Sequence, residues 1–180
     1  MAFRKTKLKD AYIIETRNIA DERGYFARAW CKREFEEQNL DVGLVQINKS
    51  FNFKKGTLRG MHFQKEPHGE VKLVRCTAGR ICDVIVDIRK DSPTYLQWEA
   101  FELSQENGLM LYVPKCFAHG YITLEDNSEV YYQVSEYYQP ESESGIYYAD
   151  PVLGIKWPIA VEVISEKDKK LPHIDEGALC

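Results

Sequence analysis

The chain has 180 residues, 44% hydrophobic and 29% charged, with no low-complexity run, the make-up of one globular domain able to bury a real core. A net charge of −4 and a pI near 5.7 argue against a general nucleic-acid or anionic-membrane binder, while a local basic pocket could still take an anionic substrate. No apolar run approaches the roughly 20 residues that span a bilayer, and the basic start lacks the apolar stretch of a signal peptide. Five scattered cysteines (Cys31, Cys76, Cys82, Cys116 and Cys180), never in a C-x-x-C pair, read as reduced thiols of a cytoplasmic protein.

Strand signals dominate along the chain. AYIIE, LVQINKSF, KLVRC, RICDVIVDIR, QWEAFELS, LMLYVP, GYITLE and EVYYQVSEYY are short, rich in β-branched and aromatic residues, and bounded by turn residues. CKREFEEQN predicts an amphipathic helix over residues 31–39, and ISEKDKK allows a second short helix after Ser165. In RICDVIVDIR, Cys82, Val84, Val86 and Ile88 make an apolar face, and Asp83, Ile85, Asp87 and Arg89 a mixed one. No phosphate-binding glycine loop, nucleophile elbow or solenoid repeat is present, and no Pro/Ser/Gly-rich linker divides residues 1–180, so one domain is expected. Many short strands and few helices predict a mainly β sandwich or barrel.

The segment LRGMHFQKEPHGEVKLV, residues 58–74, crowds histidines, glutamates, lysines and an arginine between ends that look like buried strand. Such density is costly unless the groups face a cavity or one another. Further on, GLMLYVPKCFAHG spaces Gly108, Pro114 and His119 as in the second cupin motif, which brings a histidine to the mouth of a small jelly roll. Cys116 stands where glycine is usual, so backbone strain is expected there. His62 and His68 are six apart, and Pro67 and Gly69 break the run, so the two should not converge. The tight His-x-His plus glutamate of a metal-binding cupin is missing, and no metal site is expected; His68 reads as a loop histidine.

An ordered set of segments is more specific: DERGYFARAW, VQINKS, LRGMHFQ, KLVRC, DVIVDIRKDSPTY, FELSQEN, VPKCFAHGY, EVYYQVSEYY and DPVLGIKWP. From about Tyr12 to Asp168, they resemble the dTDP-4-dehydrorhamnose 3,5-epimerase family of deoxysugar biosynthesis. The resemblance implies a cupin-type jelly roll (a double-stranded β-helix), a homodimer, no metal and no cofactor. Its substrate would be a nucleotide-diphosphate 4-keto-6-deoxysugar. The protons on C3 and C5 of such a sugar both lie α to the ketone. A base removes one, an enolate forms, and an acid on the other face returns a proton and inverts the centre.

By this resemblance His62 is the base and Asp168 the carboxylate that orients it and stabilises its imidazolium. Lys72 stands by the C4 oxygen to stabilise the oxyanion, and Tyr132 supplies the opposing proton, with Tyr131 on the other side of the strand. Arg59 offers a forked donor set to phosphate. Gln46, Asn48 and Ser50 share a strand face bordering nucleotide and sugar. His119 hydrogen-bonds substrate or diphosphate at the cavity mouth, and Tyr138, at the parity of Tyr132, lines the pocket. Arg23 and Phe26 match residues that the family inserts from the neighbouring subunit onto the base. Without the resemblance, Asp168 reads as surface charge and the tyrosine-rich strand as core or dimer surface.

Two departures from the family pattern bear on specificity. Arg28 replaces a glutamate that accepts the thymine ring N–H, and arginine has donors only. Either the chain prefers a CDP-linked sugar, or Arg28 turns outward or to a phosphate and dTDP is still used; the second reading is preferred. Glu70 and Val71 replace glutamine and glycine before Lys72. Glu70 could pair with Lys72 or reshape the sugar pocket, which leaves open whether one or both centres are inverted. Rival readings are a 3,4-ketoisomerase, a non-catalytic cupin that binds a sugar or metal, and a metal-dependent dioxygenase. The set His62, Lys72, Tyr132 and Asp168 favours the epimerase.

Overall fold

Near its start the chain forms β1 (Ala2–Lys5) and β2 (Tyr12–Glu15), then a hairpin of β3 (Asn18–Asp21) and β4 (Gly24–Ala27), then one turn of helix, α1 (Lys32–Glu36). Eight longer or central strands follow: β5 (Gln46–Asn52), β6 (Thr57–Gln64), β7 (Lys72–Ala78), β8 (Arg80–Asp87), β9 (Trp98–Ser104), β10 (Met110–Val113), β11 (Phe117–Thr123) and β12 (Ser128–Val134). Two short strands, β13 (Glu143–Gly145) and β14 (Val163–Ile164), and a last turn of helix, α2 (Glu166–Lys169), complete the set. The computed structural model describes residues 1–41 and 43–174, so Cys180 lies outside the described residues.

Apart from the two-stranded β3–β4 sheet, two large sheets are formed, in the orders β1-β2-β10-β7-β12-β5 and β13-β6-β11-β8-β9, with β14 parallel on the edge of β6. Strands remote in the chain lie side by side, β10 between β2 and β7 and β11 between β6 and β8, each pair antiparallel. This is the expected cupin-type jelly roll. The sheets face each other over Ile13, Val74, Leu111 and Val130 from the first and Ile81, Ile85, Leu103 and Phe117 from the second. Among the described residues, no helix is long and apolar enough to cross a membrane.

Both faces of β8 are buried. Cys82, Val84, Val86 and Ile88 pack outward against Ile146, Leu153 and Ile155 of the C-terminal segment. The mixed face looks into the roll, where Asp83 and Asp87 are fully buried and satisfied, Asp83 by His119 and Asp87 by Arg89, Ser92 and Thr94. The helix expected over residues 31–39 is shorter. Phe35 anchors it against Ile14, Leu73 and Tyr112, and Asn39, at φ +57°, ends the turn with Leu40 N–H donating back to Phe35 O. Cys116 does take a left-handed φ of +57°. The run EVYYQVSEYY leaves the sheet at Val134, because Ser135 turns to exchange hydrogen bonds with Val71. Strands β1, β3, β4, β13 and β14 carried no hydrophobic alternation long enough to read; β3 is exposed at every residue.

Candidate active site

Strand β6 explains the crowded polar stretch. Leu58, Met61 and Phe63 face the outer core, yet Arg59 and His62, three residues apart, both line the interior cleft. Simple alternation would put those two on opposite faces. The pairing with β11 shifts register between His119 and Tyr121, a bulge of the kind that re-aims side chains beside functional sites. Gly60 occupies the bulge at φ +132°, and a Cβ there would stand 2.5 Å from the Cα of Gly120. The close approach of the two backbones needs glycine.

His62 Nε2–H donates to Asp168 Oδ1 at 2.9 Å, and the Gly60 N–H donates to Asp168 Oδ2 at 3.1 Å. Asp168 is 4% exposed and sits in α2, where its own N–H donates to the capping hydroxyl of Ser165. Burial pushes its carboxyl up, but His62, the Gly60 amide and Ser165 outweigh burial and hold it below the ordinary carboxylate value. With Nε2 committed, Nδ1 is the ring nitrogen left to take a proton.

The dyad opens onto a cleft of about 600 Å³ whose wall includes Arg59, Lys72, His119, Tyr121, Tyr132 and Lys167. A smaller pocket of about 310 Å³ shares His62, Lys72 and Tyr132 with it and adds Gln46, Asn48, Glu70, Tyr138 and Glu143. The second sheet thus brings His62, and the first brings Lys72 and Tyr132, to the junction of two pockets. Lys72 Nζ is 3.1 Å from Glu70 Oε1 and donates to the His62 carbonyl oxygen at 3.4 Å. Burial, joined by Tyr121 and Glu70, pushes the Tyr132 hydroxyl above the ordinary phenol value, and like any phenol it carries its proton at neutral pH.

The remaining expected residues divide. Arg59 lines the cleft with its Nε–H donating to Asn52 Oδ1 at 2.8 Å. Ser50 also lines it, accepting from the Tyr121 hydroxyl at 2.8 Å. Gln46 and Asn48 line the smaller pocket and are joined by a 3.0 Å hydrogen bond. His119 is a wall residue, 8% exposed, whose Nε2–H donates to Asp83 Oδ2 at 2.9 Å. Tyr138 lines the smaller pocket from a loop rather than by strand parity, and its hydroxyl donates to Glu143 Oε2 at 2.8 Å. Arg23 and Phe26 lie on the exposed β3–β4 hairpin, Arg23 paired with Asp21, and neither lines the cleft of its own chain. Arg28 also stays out of it, donating to Glu34 at 3.1 Å. His68, in the loop between β6 and β7, bonds Ser142 of the turn before β13, apart from His62. Among the described residues, no group of three or more His, Cys, Asp or Glu is arranged to hold a metal ion.

Sequence reasoning did not single out Asp83, Tyr121, Glu143 or Lys167 as site residues. Lys167 lines the cleft and pairs with Glu143 at 2.5 Å. The mixed face of RICDVIVDIR was a signal for Asp83, and adjacency to Asp168 one for Lys167.

A histidine held by a carboxylate, with a protonated tyrosine and a lysine around the same cleft of a cupin-type jelly roll, suits proton transfer to and from a bound substrate, the chemistry an epimerase needs. The model of the dTDP-4-dehydrorhamnose 3,5-epimerase family matches residues 5–176. A relative of that name from Methanothermobacter thermautotrophicus is 46% identical over 179 residues, 97% of this chain and 95% of that protein. The crystal structure of the Bacillus anthracis dTDP-4-dehydrorhamnose 3,5-epimerase, with TDP and PPi bound, superposes with a TM-score of 0.93 at 42% identity, covering 96% of this chain and 99% of that one. The Legionella pneumophila 3,5-epimerase, in complex with dTDP-4-keto-L-rhamnose, gives 0.92 at 39% identity, covering 99% of this chain and 96% of that one. The chain belongs to the dTDP-4-dehydrorhamnose 3,5-epimerase family.

Proposed function

We propose that the chain, acting as one epimerase domain, inverts C3 and C5 of a dTDP-linked 4-keto-6-deoxyhexose. The observation that carries this reading is the meeting of His62 and Tyr132, from facing sheets, around one cleft with Lys72 beside them. His62 Nδ1 takes the proton α to the ketone, Lys72 donates to the C4 oxygen as it gains negative charge, and Tyr132 returns a proton from the opposite face. Asp168 fixes the tautomer of His62. Arg59 and Lys167 suit the diphosphate, while Gln46, Asn48 and Tyr138 suit the nucleoside. His119, held by Asp83 through Nε2, has Nδ1 to accept from a sugar hydroxyl.

Thymidine is preferred to cytidine because relatives of this chain are solved with TDP and with dTDP-4-keto-L-rhamnose, and because Arg28 is engaged by Glu34. The active unit in this reading is a homodimer, with Arg23 and Phe26 reaching the partner's site. Exposed Tyr25, Phe26, Ile47 and Phe51 supply apolar surface for it. A cytoplasmic location fits the buried Cys76 and Cys82, whose thiols burial pushes up to about 11.

Deuterium uptake from D₂O into dTDP- and CDP-linked 4-keto-6-deoxyglucose, read by proton NMR, tests the proposal. Label at C3 and C5 of the dTDP sugar is expected. Label at one carbon would reduce the enzyme to a mono-epimerase, faster exchange in the CDP sugar would overturn the base assignment, and no exchange in either would overturn the reaction.

A further inference from the structure

The smaller pocket holds a carboxylate to which the proposed reaction gives no part. Glu70 lies in the connection between β6 and β7, two residues before Lys72, with Oε1 3.1 Å from Lys72 Nζ. Both side chains are largely withdrawn from solvent, Lys72 9% and Glu70 14% exposed. The backbone between them is clamped. Val71 N–H donates to Ser135 Oγ at 2.9 Å, Ser135 N–H donates to Val71 O at 3.1 Å, and the Val71 side chain is buried among Ile14, Leu73 and Tyr112. With Val71 turned into that core, Glu70 and Lys72 are both left on the wall of the smaller pocket. Their pairing is set by the fold rather than by two flexible side chains meeting in solvent.

An ammonium has three N–H donors. One meets Glu70 and one reaches the His62 carbonyl oxygen, which leaves the third for the cavity shared with His62 and Tyr132. We infer that Glu70 is a positioning residue that aims this third donor, acting through Lys72 and not on the substrate. The inference rests on the reading of Lys72 as the group beside the C4 oxygen. A lysine without Glu70 would have a poorly hydrated charge and several rotamers open to it, and an oxyanion donor that wanders loses its advantage in the transition state. The carboxylate also offsets part of the ammonium's field at the oxyanion, so geometry and charge act in opposite senses here; geometry prevails.

The test compares E70A, E70Q, K72A and the double variant E70A/K72A, using kcat, KM and deuterium exchange at C3 and C5. E70A is expected to lose about tenfold in kcat, the size of a typical coupling between groups in contact, with KM changed by less than about twofold. E70Q, whose amide oxygen can accept the same hydrogen bond, is expected to recover most of the loss. In the K72A background, E70A is expected to cost nothing more. Full activity in E70A, no recovery in E70Q, an undiminished loss without Lys72, or a loss that tracks a fallen thermal midpoint would each overturn the inference. Wild-type enzyme that exchanges normally beside an unaffected E70A discards the role of Glu70 alone; wild-type enzyme with no exchange discards the reaction and this role with it.

Discussion

Asp168 holds His62 from outside the sheet, through a 2.9 Å hydrogen bond to Nε2, and its second oxygen grips the backbone of β6 at Gly60. The ring is therefore fixed to the strand that carries it. Asp168→Asn should keep the shape and lose both the charge that stabilises an imidazolium and the preference for one tautomer. A fall in kcat of about 10²- to 10⁴-fold is expected, with KM nearly unchanged. The same variant has a pH signature. The Asp168 carboxyl is held below its ordinary value, so its stabilising contribution is complete above about pH 4 and is lost as pH falls through the lower folded value. Unfolding midpoints measured from neutral to acid pH should fall more steeply in wild type than in Asp168→Asn; parallel curves would refute this.

Tyr132 is protonated at neutral pH like any phenol, burial only raises its hydroxyl further, and it faces the cleft from β12. Tyr132→Phe keeps the ring packed against the core and removes only the hydroxyl that carries the proton. Inversion should fall about 10²- to 10⁴-fold. Deuterium should still enter the substrate with retained configuration, because His62 can remove a proton and return a deuteron on its own face. Loss of exchange together with inversion would count against separate roles for the two residues.

Legibility followed the range of the physical cause. Runs such as LMLYVP and GYITLE read as strands because β-branched and aromatic residues suit a pleated, buried surface, a local property. Alternation in RICDVIVDIR exposed a mixed face, but the register that sets His119 against Ile85, beside Asp83, comes from pairing β8 with β11. Arg59 and His62 share a cleft only because a bulge breaks alternation, and nothing in LRGMHFQ announces the bulge except Gly60. Strands β3 and β14 are too short and too exposed for any period to show. Asp168 stood among lysines and was picked out by family resemblance alone; its partner is 106 residues away in the chain.

Gly60 tests the bulge directly. A methyl at this position meets the Gly120 backbone at 2.5 Å, and φ +132° is a conformation that side chains rarely adopt. Gly60→Ala should destabilise the fold by about 2–4 kcal/mol and lower activity further than stability alone explains, since the shift moves both His62 and the amide that holds Asp168. Thermal melts and kcat of the folded fraction check this. A variant that melts and turns over like wild type would mean that the close approach is relaxed in solution.

Arg23 and Phe26 line no part of their own chain's cleft, and Phe26 is 69% exposed. If they complete the partner's site, His62→Asn and the double variant Arg23→Ala/Phe26→Ala damage different halves of each composite site. Either alone should be nearly inactive or bind substrate poorly. After subunit exchange of an equal mixture, half the dimers are mixed, and each mixed dimer contains one site with an intact base and intact arms. Activity should therefore return to about a quarter of wild type, as statistical pairing in a two-fold dimer requires. Co-expression with two affinity tags, followed by purification of the doubly tagged dimer, isolates that species, in which half of wild-type activity is expected. A doubly tagged dimer no more active than the average of the two parents would show that each cleft works with the residues of its own chain.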